Sequence, residues 1–226
     1  MFNGKFAERV ALFRAKGGKR TTAFWLLRRL VQLDVYRFYA MDLARTDLES
    51  DQPLPEGHAI LVLRSFADVE TCDPLVVAEI DKQSGCGVAE AVRRDGRIYA
   101  IVRGTRVVSQ LRIEFRKSRI DTPLDMVLEF GDKDAFLSFL YTDPSSRHEG
   151  WAAKLISIVC MRLASEGWRH CICHVQATNL RSVNTFSRSG WVPFAWLFAT
   201  AKGRLLSVIR QPSARRMGIM LHAKPV

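Results

Sequence analysis

The chain lacks any run of the roughly 18 to 20 apolar residues that a membrane-crossing helix needs. Its longest candidate, Phe24 to Ala44, is interrupted by Arg28, Arg29, Asp34, Arg37 and Asp42, so a spanning helix is excluded. Cysteine is scarce and odd in number, at positions 72, 86, 160, 171 and 173. With no secretory signal ahead of these residues, a disulfide framework is not expected, and reduced thiols in the cytoplasm are. Cys171-Ile172-Cys173-His174 has metal-ligand residue types, but along a strand the two cysteines share one face and His174 takes the other. No metal is expected there, because a tetrahedral site needs converging ligands. Low-complexity stretches and internal repeats are absent as well, which excludes arrays and fibrous architectures.

Acidic residues are outnumbered, 23 against 34 Lys and Arg, for a formal charge of +11. That balance suits a nucleic acid, an anionic membrane surface, an acidic protein partner or a polyphosphorylated ligand. No helix-turn-helix signature or aromatic-basic motif supports nucleic acid, which is not expected as a partner.

What is present divides at Ser50-Asp51-Gln52-Pro53-Leu54-Pro55-Glu56-Gly57, a stretch rich in breakers. Residues 1–52 read as a basic helical extension, with Thr21 or Thr22 as N-cap of its longer helix and Leu26, Leu27, Leu30 and Leu33 along one side. Two readings of it stand side by side: a peripheral contact with an anionic membrane, or a helical addition whose leucines pack on the main domain. Residues 53–226 read as one α/β domain of short alternating elements. Strands are expected over His58 to Phe66, Arg97 to Val102, Arg106 to Phe115, Met126 to Phe130, Phe136 to Tyr141, His170 to Gln176, Val192 to Ala199 and Arg204 to Arg210. Helices are expected from Asp73-Pro74 to Arg94, broken around Ser84 to Gly87, over Ala152 to Glu166, and from Asn179 to Arg188.

The most informative segment is Arg147-His148-Glu149-Gly150-Trp151-Ala152, between a strand ending near Pro144 and a helix. It fits Arg/Gln-x-x-Gly-x-Gly/Ala, in which small residues turn backbone N–H groups toward a diphosphate at a helix N-terminus. Downstream, Asn179 is followed by Ser182, Gly190 and Trp191 at fixed spacing. This order of elements and motifs resembles the GNAT acyltransferase superfamily from about His58 to Arg210. The resemblance implies a GNAT fold, with a central mixed, mostly antiparallel sheet of about six to seven strands flanked by helices. It also implies transfer of an acetyl or longer acyl group from acyl-CoA to an amine by direct attack, with no metal.

Carried over position by position, the resemblance assigns coenzyme A binding to Leu140, Tyr141 and Thr142 on the strand, to Arg147, His148, Glu149, Gly150, Trp151 and Ala152 in the loop, and to Asn179, Ser182 and Phe186 on the next helix. Departures from the family pattern are His148 where a second Gly is usual, and a carboxylate at Glu149. Phe139 stands where many members carry an acidic base, and Phe186 where many carry a Tyr. Glu129 and His174 are the stand-in candidates for the base. The two phenylalanines make a longer acyl chain compatible with the centre. Two alternatives follow: a non-catalytic acyl-CoA-binding module, and an enzyme at the membrane surface whose donor is an acyl carrier protein. The expected acceptor is an amine, on a small molecule or an envelope precursor.

Overall fold

A computed structural model describes residues 19, 22–44, 53–120, 124 and 126–225. Along the chain, strand β1 spans Leu33–Asp42 and β2 His58–Leu63, followed by helices Phe66–Thr71, Pro74–Asp81 and Val88–Arg93. Then come β3 (Arg97–Arg103), β4 (Arg106–Phe115), β5 (Lys117–Ile120), β6 (Met126–Phe130) and β7 (Asp134–Thr142). Helix Trp151–Ser165, β8 (His170–Gln176), helix Leu180–Arg188, β9 (Val192–Thr200), β10 (Leu205–Arg210), helix Pro212–Met217 and β11 (Leu221–Pro225) complete it. The architecture is α/β, with mixed strands flanked by helices, as expected.

The chain forms two compact units. One comprises residues 41–118 and 130–173. In it β2, β3, β4 and β7 run antiparallel in that order, and β8 joins β7 in parallel. Local signals start its helices. Ser65 and Asp68 form a capping box ahead of Phe66–Thr71, and the Asp73 carboxylate accepts from Leu75 N at 2.8 Å with Pro74 in the first turn. Val76, Ile80, Val88 and Ala91 from the next two helices pack with Leu63, Ile98, Ala100 and Val107. Helix Trp151–Ser165 buries Leu155, Ile156, Val159, Cys160 and Leu163, an i, i+4 pattern that gives it one apolar face.

The other unit comprises residues up to 40, 119–129 and 174–226. Its strands β1, β9 and β10 are antiparallel, with β9 in the middle. Strands β5, β6 and β11 make a separate three-stranded sheet.

The supposedly helical residues 1–52 include the ten-residue strand β1, paired with β9 from Leu33↔Thr200 to Ala40↔Val192. The leucine stripe ends in a turn of π-helix, Leu27–Val31, and Gln32 at φ 53° breaks the helix. Beyond it Val35, Tyr36, Phe38, Tyr39, Ala40 and Met41 are buried on both faces of the strand. A strand covered on both faces shows no alternation, so over a short apolar run its sequence imitates a helix. The candidate cap Thr21 and most of residues 1–21 lie outside the described residues. After β10 the chain forms the helix Pro212–Met217 and then β11.

Candidate functional site

The strand, loop and helix that carry the motif all belong to the first unit. β7 runs parallel with β8 for four pairs, Asp134↔His170 to Leu137↔Cys173. Immediately after the last pair β7 bulges. Gln110 pairs with Tyr141 and Arg112 with Ser138, so Phe139 and Leu140 together oppose Leu111. Phe139 sits at φ 50°, a left-handed conformation that costs a bulky residue about 1 kcal/mol or more. Its ring lies so close to Gly85 that a Cβ there would come within 2.1 Å of it. That close approach, together with φ +77°, is why residue 85 is glycine.

Beneath the bulge lies a polar cluster that the sequence reading passed over. Arg112, 2% exposed, places its guanidinium 4.3 Å from the Phe139 ring centroid. It pairs with the Glu114 carboxylate at 3.2 Å, and its Nε–H donates to Ser138 Oγ at 3.3 Å. Ser118 and Ser138 hydroxyls donate to the other Glu114 oxygen at 2.6 and 3.3 Å. Its signal in the sequence was Gln110, Arg112 and Glu114 at a spacing of two, alternating with the apolar Leu111, Ile113 and Phe115.

Strand residues Tyr141 and Thr142 are half-buried and tied to β4: Ser109 Oγ donates to the Tyr141 carbonyl at 2.9 Å and lies 3.0 Å from Thr142 Oγ1. Leu140, also half-buried, is the second bulge residue. Asp143 then starts the loop, its carboxylate accepting from Ser145 N at 2.9 Å ahead of the 3₁₀ turn Pro144–Ser146. Hydrogen bonds from Ser145 and the nearby Arg106 hold that carboxyl below its ordinary range, the former being the larger effect.

Arg147, His148, Glu149 and Gly150 are all exposed. Arg147 Nε–H donates to the Thr142 carbonyl at 3.2 Å, folding the loop back on the strand end. His148 at φ 74° and Gly150 at φ 81° give the loop two left-handed turns. The question raised by Glu149 has a structural answer: its carboxylate accepts from the Trp151 indole N–H at 2.8 Å. Trp151 is itself buried, stacked on His58 at 4.6 Å, so its side chain anchors the loop and leaves its backbone amide for a ligand.

The first helical hydrogen bond runs from Lys154 N–H to the Gly150 carbonyl at 3.0 Å. The amides of Trp151, Ala152 and Ala153 therefore have no acceptor within the helix and carry its positive dipole end. Its chain neighbours apart, no atom lies within 4 Å of where a Cβ on Gly150 would stand, so there is open space beside the start of the helix. A diphosphate fits this arrangement, which offers helix N-terminal amides without intrahelical acceptors, the exposed Arg147 and His148 in the loop, and a neighbouring carboxylate already occupied by an indole.

The remaining predicted residues fall in the second unit. Asn179 caps helix Leu180–Arg188, its Oδ1 accepting from Ser182 N at 3.4 Å. Phe186 is 2% exposed, stacked on Tyr39 at 6.0 Å and edge-on to Trp191 at 4.9 Å. Gly190 at φ 78° turns the chain so that Trp191 N–H donates to the Phe186 carbonyl at 3.3 Å. The Gly-aromatic pair is thus a helix-ending turn. His174 lies against Tyr36 and Phe38, with ring centroids 5.7 and 5.8 Å away, and burial pushes its pKa down to about 4. Glu129 is exposed, both oxygens accepting from Lys224 Nζ at 2.8 and 3.0 Å. These two candidate bases lie in different surroundings, one among aromatic rings and one ion-paired on β6, whose residues Met126, Leu128 and Phe130 are buried.

An unforeseen chain of polar groups runs beside Phe186. Arg37 donates to the Tyr39 hydroxyl at 3.0 Å, which in turn lies 3.4 Å from Ser187 Oγ. Among the described residues no group of three or more His, Cys, Asp or Glu side chains is placed to hold a metal. No helix among them is long and apolar enough to cross a membrane.

A bulged strand leading into a glycine-containing loop and an exposed helix N-terminus defines the class. The model of the acetyltransferase (GNAT) family matches residues 54–191, and the chain belongs to that family. Among solved structures it is similar to a putative GNAT acetyltransferase from Novosphingobium aromaticivorans, at 16% identity and a TM-score of 0.51. That match covers 75% of this chain and 64% of the other, so the chain spans less than two thirds of that neighbour's length. It is also similar to a GNAT acetyltransferase from Colwellia psychrerythraea, at 11% identity and a TM-score of 0.48, covering 85% and 70% of the two chains. Identities this low show the fold alone. No curated protein matches the chain.

Proposed function

We propose that the protein binds an acyl-CoA along the end of β7, with its diphosphate at the amides of residues 150–153, and transfers the acyl group to an amine. The observation that carries this reading is the continuity of three features: the end of the parallel ladder at Leu137, the bulge at Phe139, and the open helix N-terminus at Gly150. An extended pantetheine arm has amides able to pair with a strand edge, and a diphosphate suits a helix N-terminus.

In the transfer the acceptor nitrogen attacks the thioester carbonyl, a C–N bond forms, the C–S bond breaks, and the departing thiolate takes a proton. His174, neutral at pH 7 and held near pKa 4, is a weak base, and Glu129 is engaged by Lys224. In this reading the amine loses its proton to solvent. At the other end of the reaction, Phe186 has no proton to give. The departing thiolate therefore takes its proton from solvent.

The loss of both usual proton-transfer positions, at Phe139 and Phe186, equally fits a module that binds an acyl-CoA without turning it over. Turnover against an amine panel separates the two readings. Binding is tested at Gly150, where φ is 81° and the space is open. Asn tolerates the left-handed conformation, whereas Asp adds a negative charge. Calorimetry with acetyl-CoA should show Gly150→Asn within a few fold of wild type and Gly150→Asp weaker by roughly ten-fold or more. Equal affinity in wild type and Gly150→Asp rules out this placement of the diphosphate.

A further inference from the structure

Among the described residues, the net charge of this protein lies in one of its two units. Among the described residues, the unit built on β1, β9 and β10 has 13 Lys and Arg against two Asp and Glu. The other has 15 of each and is neutral. From Gly167 to Val226 the sequence contains no acidic residue at all. The two acids of the basic unit are already spent, since Asp34 pairs with Arg28 at 3.1 Å and Glu129 with Lys224.

The same unit exposes apolar side chains. Leu30 is 71% and Val31 65% exposed, and Leu206 and Ile209 on the neighbouring hairpin are both more than half exposed. Their positions are linked: Ala201 N–H donates to the Gln32 carbonyl at 2.7 Å, and Leu33 pairs with Thr200. The hairpin turn bearing Lys202 and Arg204 therefore sits beside the helix end bearing Arg29, Leu30 and Val31.

We propose that this end of the unit docks on an anionic lipid surface, with Leu30 and Val31 entering the headgroup boundary and Arg29, Lys202 and Arg204 meeting the lipid charges. A nucleic-acid duplex would reward only the charge. A bilayer rewards exposed leucine and valine as well, and juxtaposition of the two is the signature of an interfacial surface. Docking here would bring an acyltransferase to lipid-linked or surface-bound acceptors, although the docking itself does not depend on the catalytic reading.

The test is co-sedimentation of the full chain with phosphatidylcholine vesicles, with and without phosphatidylglycerol. Wild type should pellet with the anionic vesicles and stay in solution with the neutral ones. Each basic side chain near such a surface is worth about five-fold in partitioning, the equivalent of ~1 kcal/mol. Lys202→Ser with Arg204→Ser should weaken binding about 25-fold, an effect that fades in high salt. Leu30→Ser with Val31→Ser should weaken it on the order of ten-fold, in high salt too, with melting temperature unchanged because both side chains are exposed. Both variants retain residues 1–18, so wild-type binding by either moves the contact elsewhere and overturns the proposal. Equal binding to neutral vesicles, or tight binding to a DNA duplex with none to vesicles, overturns it as well.

Discussion

Burial of His174 makes the stability of this protein depend on pH in a window that ordinary surface histidines do not produce. The ring lies against Tyr36 and Phe38, and removal from water lowers its pKa from 6.5 in the unfolded chain to about 4. Tyr36, pushed up to about 12, stays neutral throughout the range. Between pH 6.5 and 4 the unfolded chain binds a proton that the native state refuses, so stability rises with pH across that interval and is lost as pH falls through it. The shift of about 2.5 units corresponds to roughly 3 kcal/mol in full, of which about 2 kcal/mol is lost between pH 7 and pH 5. His174→Gln removes the titration while keeping a polar side chain. Urea unfolding of both proteins at pH 7 and pH 5 isolates the effect, since every other titrating group is common to the pair. Wild type should lose about 2 kcal/mol more than the variant over this step. Equal losses would show that His174 is not held neutral by burial, and would restore it as a candidate base with a pKa near 7.

Two further outcomes follow from the buried polar groups. Arg112→Met leaves Glu114 charged and buried with only serine hydroxyls for partners, so it should cost about 3 to 5 kcal/mol. Adding Glu114→Leu should recover most of that, and denaturant midpoints that are equally low in the single and double variants would refute the pairing. Tyr39→Phe removes the hydroxyl between Arg37 and Ser187 while keeping the ring stacked on Phe186. It should lower stability to urea by about 1 kcal/mol, and an unchanged midpoint would show that this hydroxyl contributes no net hydrogen bond.

The sequence alone determined the parts of this protein that are local. The Asp73-Pro74 start, the Asn179 cap, the strand His170 to Gln176 and the helix after Gly150 each rest on a few neighbouring residues whose backbone preferences decide the outcome. The family motifs were legible for the same reason, since a diphosphate loop is a contiguous segment. Only the tertiary structure decided that Leu33–Asp42 is a strand, because its fate depends on pairing with the distant β9, from Leu33↔Thr200 to Ala40↔Val192. It also decided the bulge at Phe139, which no glycine announces and which the close approach of Gly85 and the Arg112 guanidinium hold in place. The Tyr39 to Ser187 contact spans 148 positions, and the segregation of charge follows from which distant segments fold together. Contacts of that range are set by packing, and a linear reading sees the partners without their meeting.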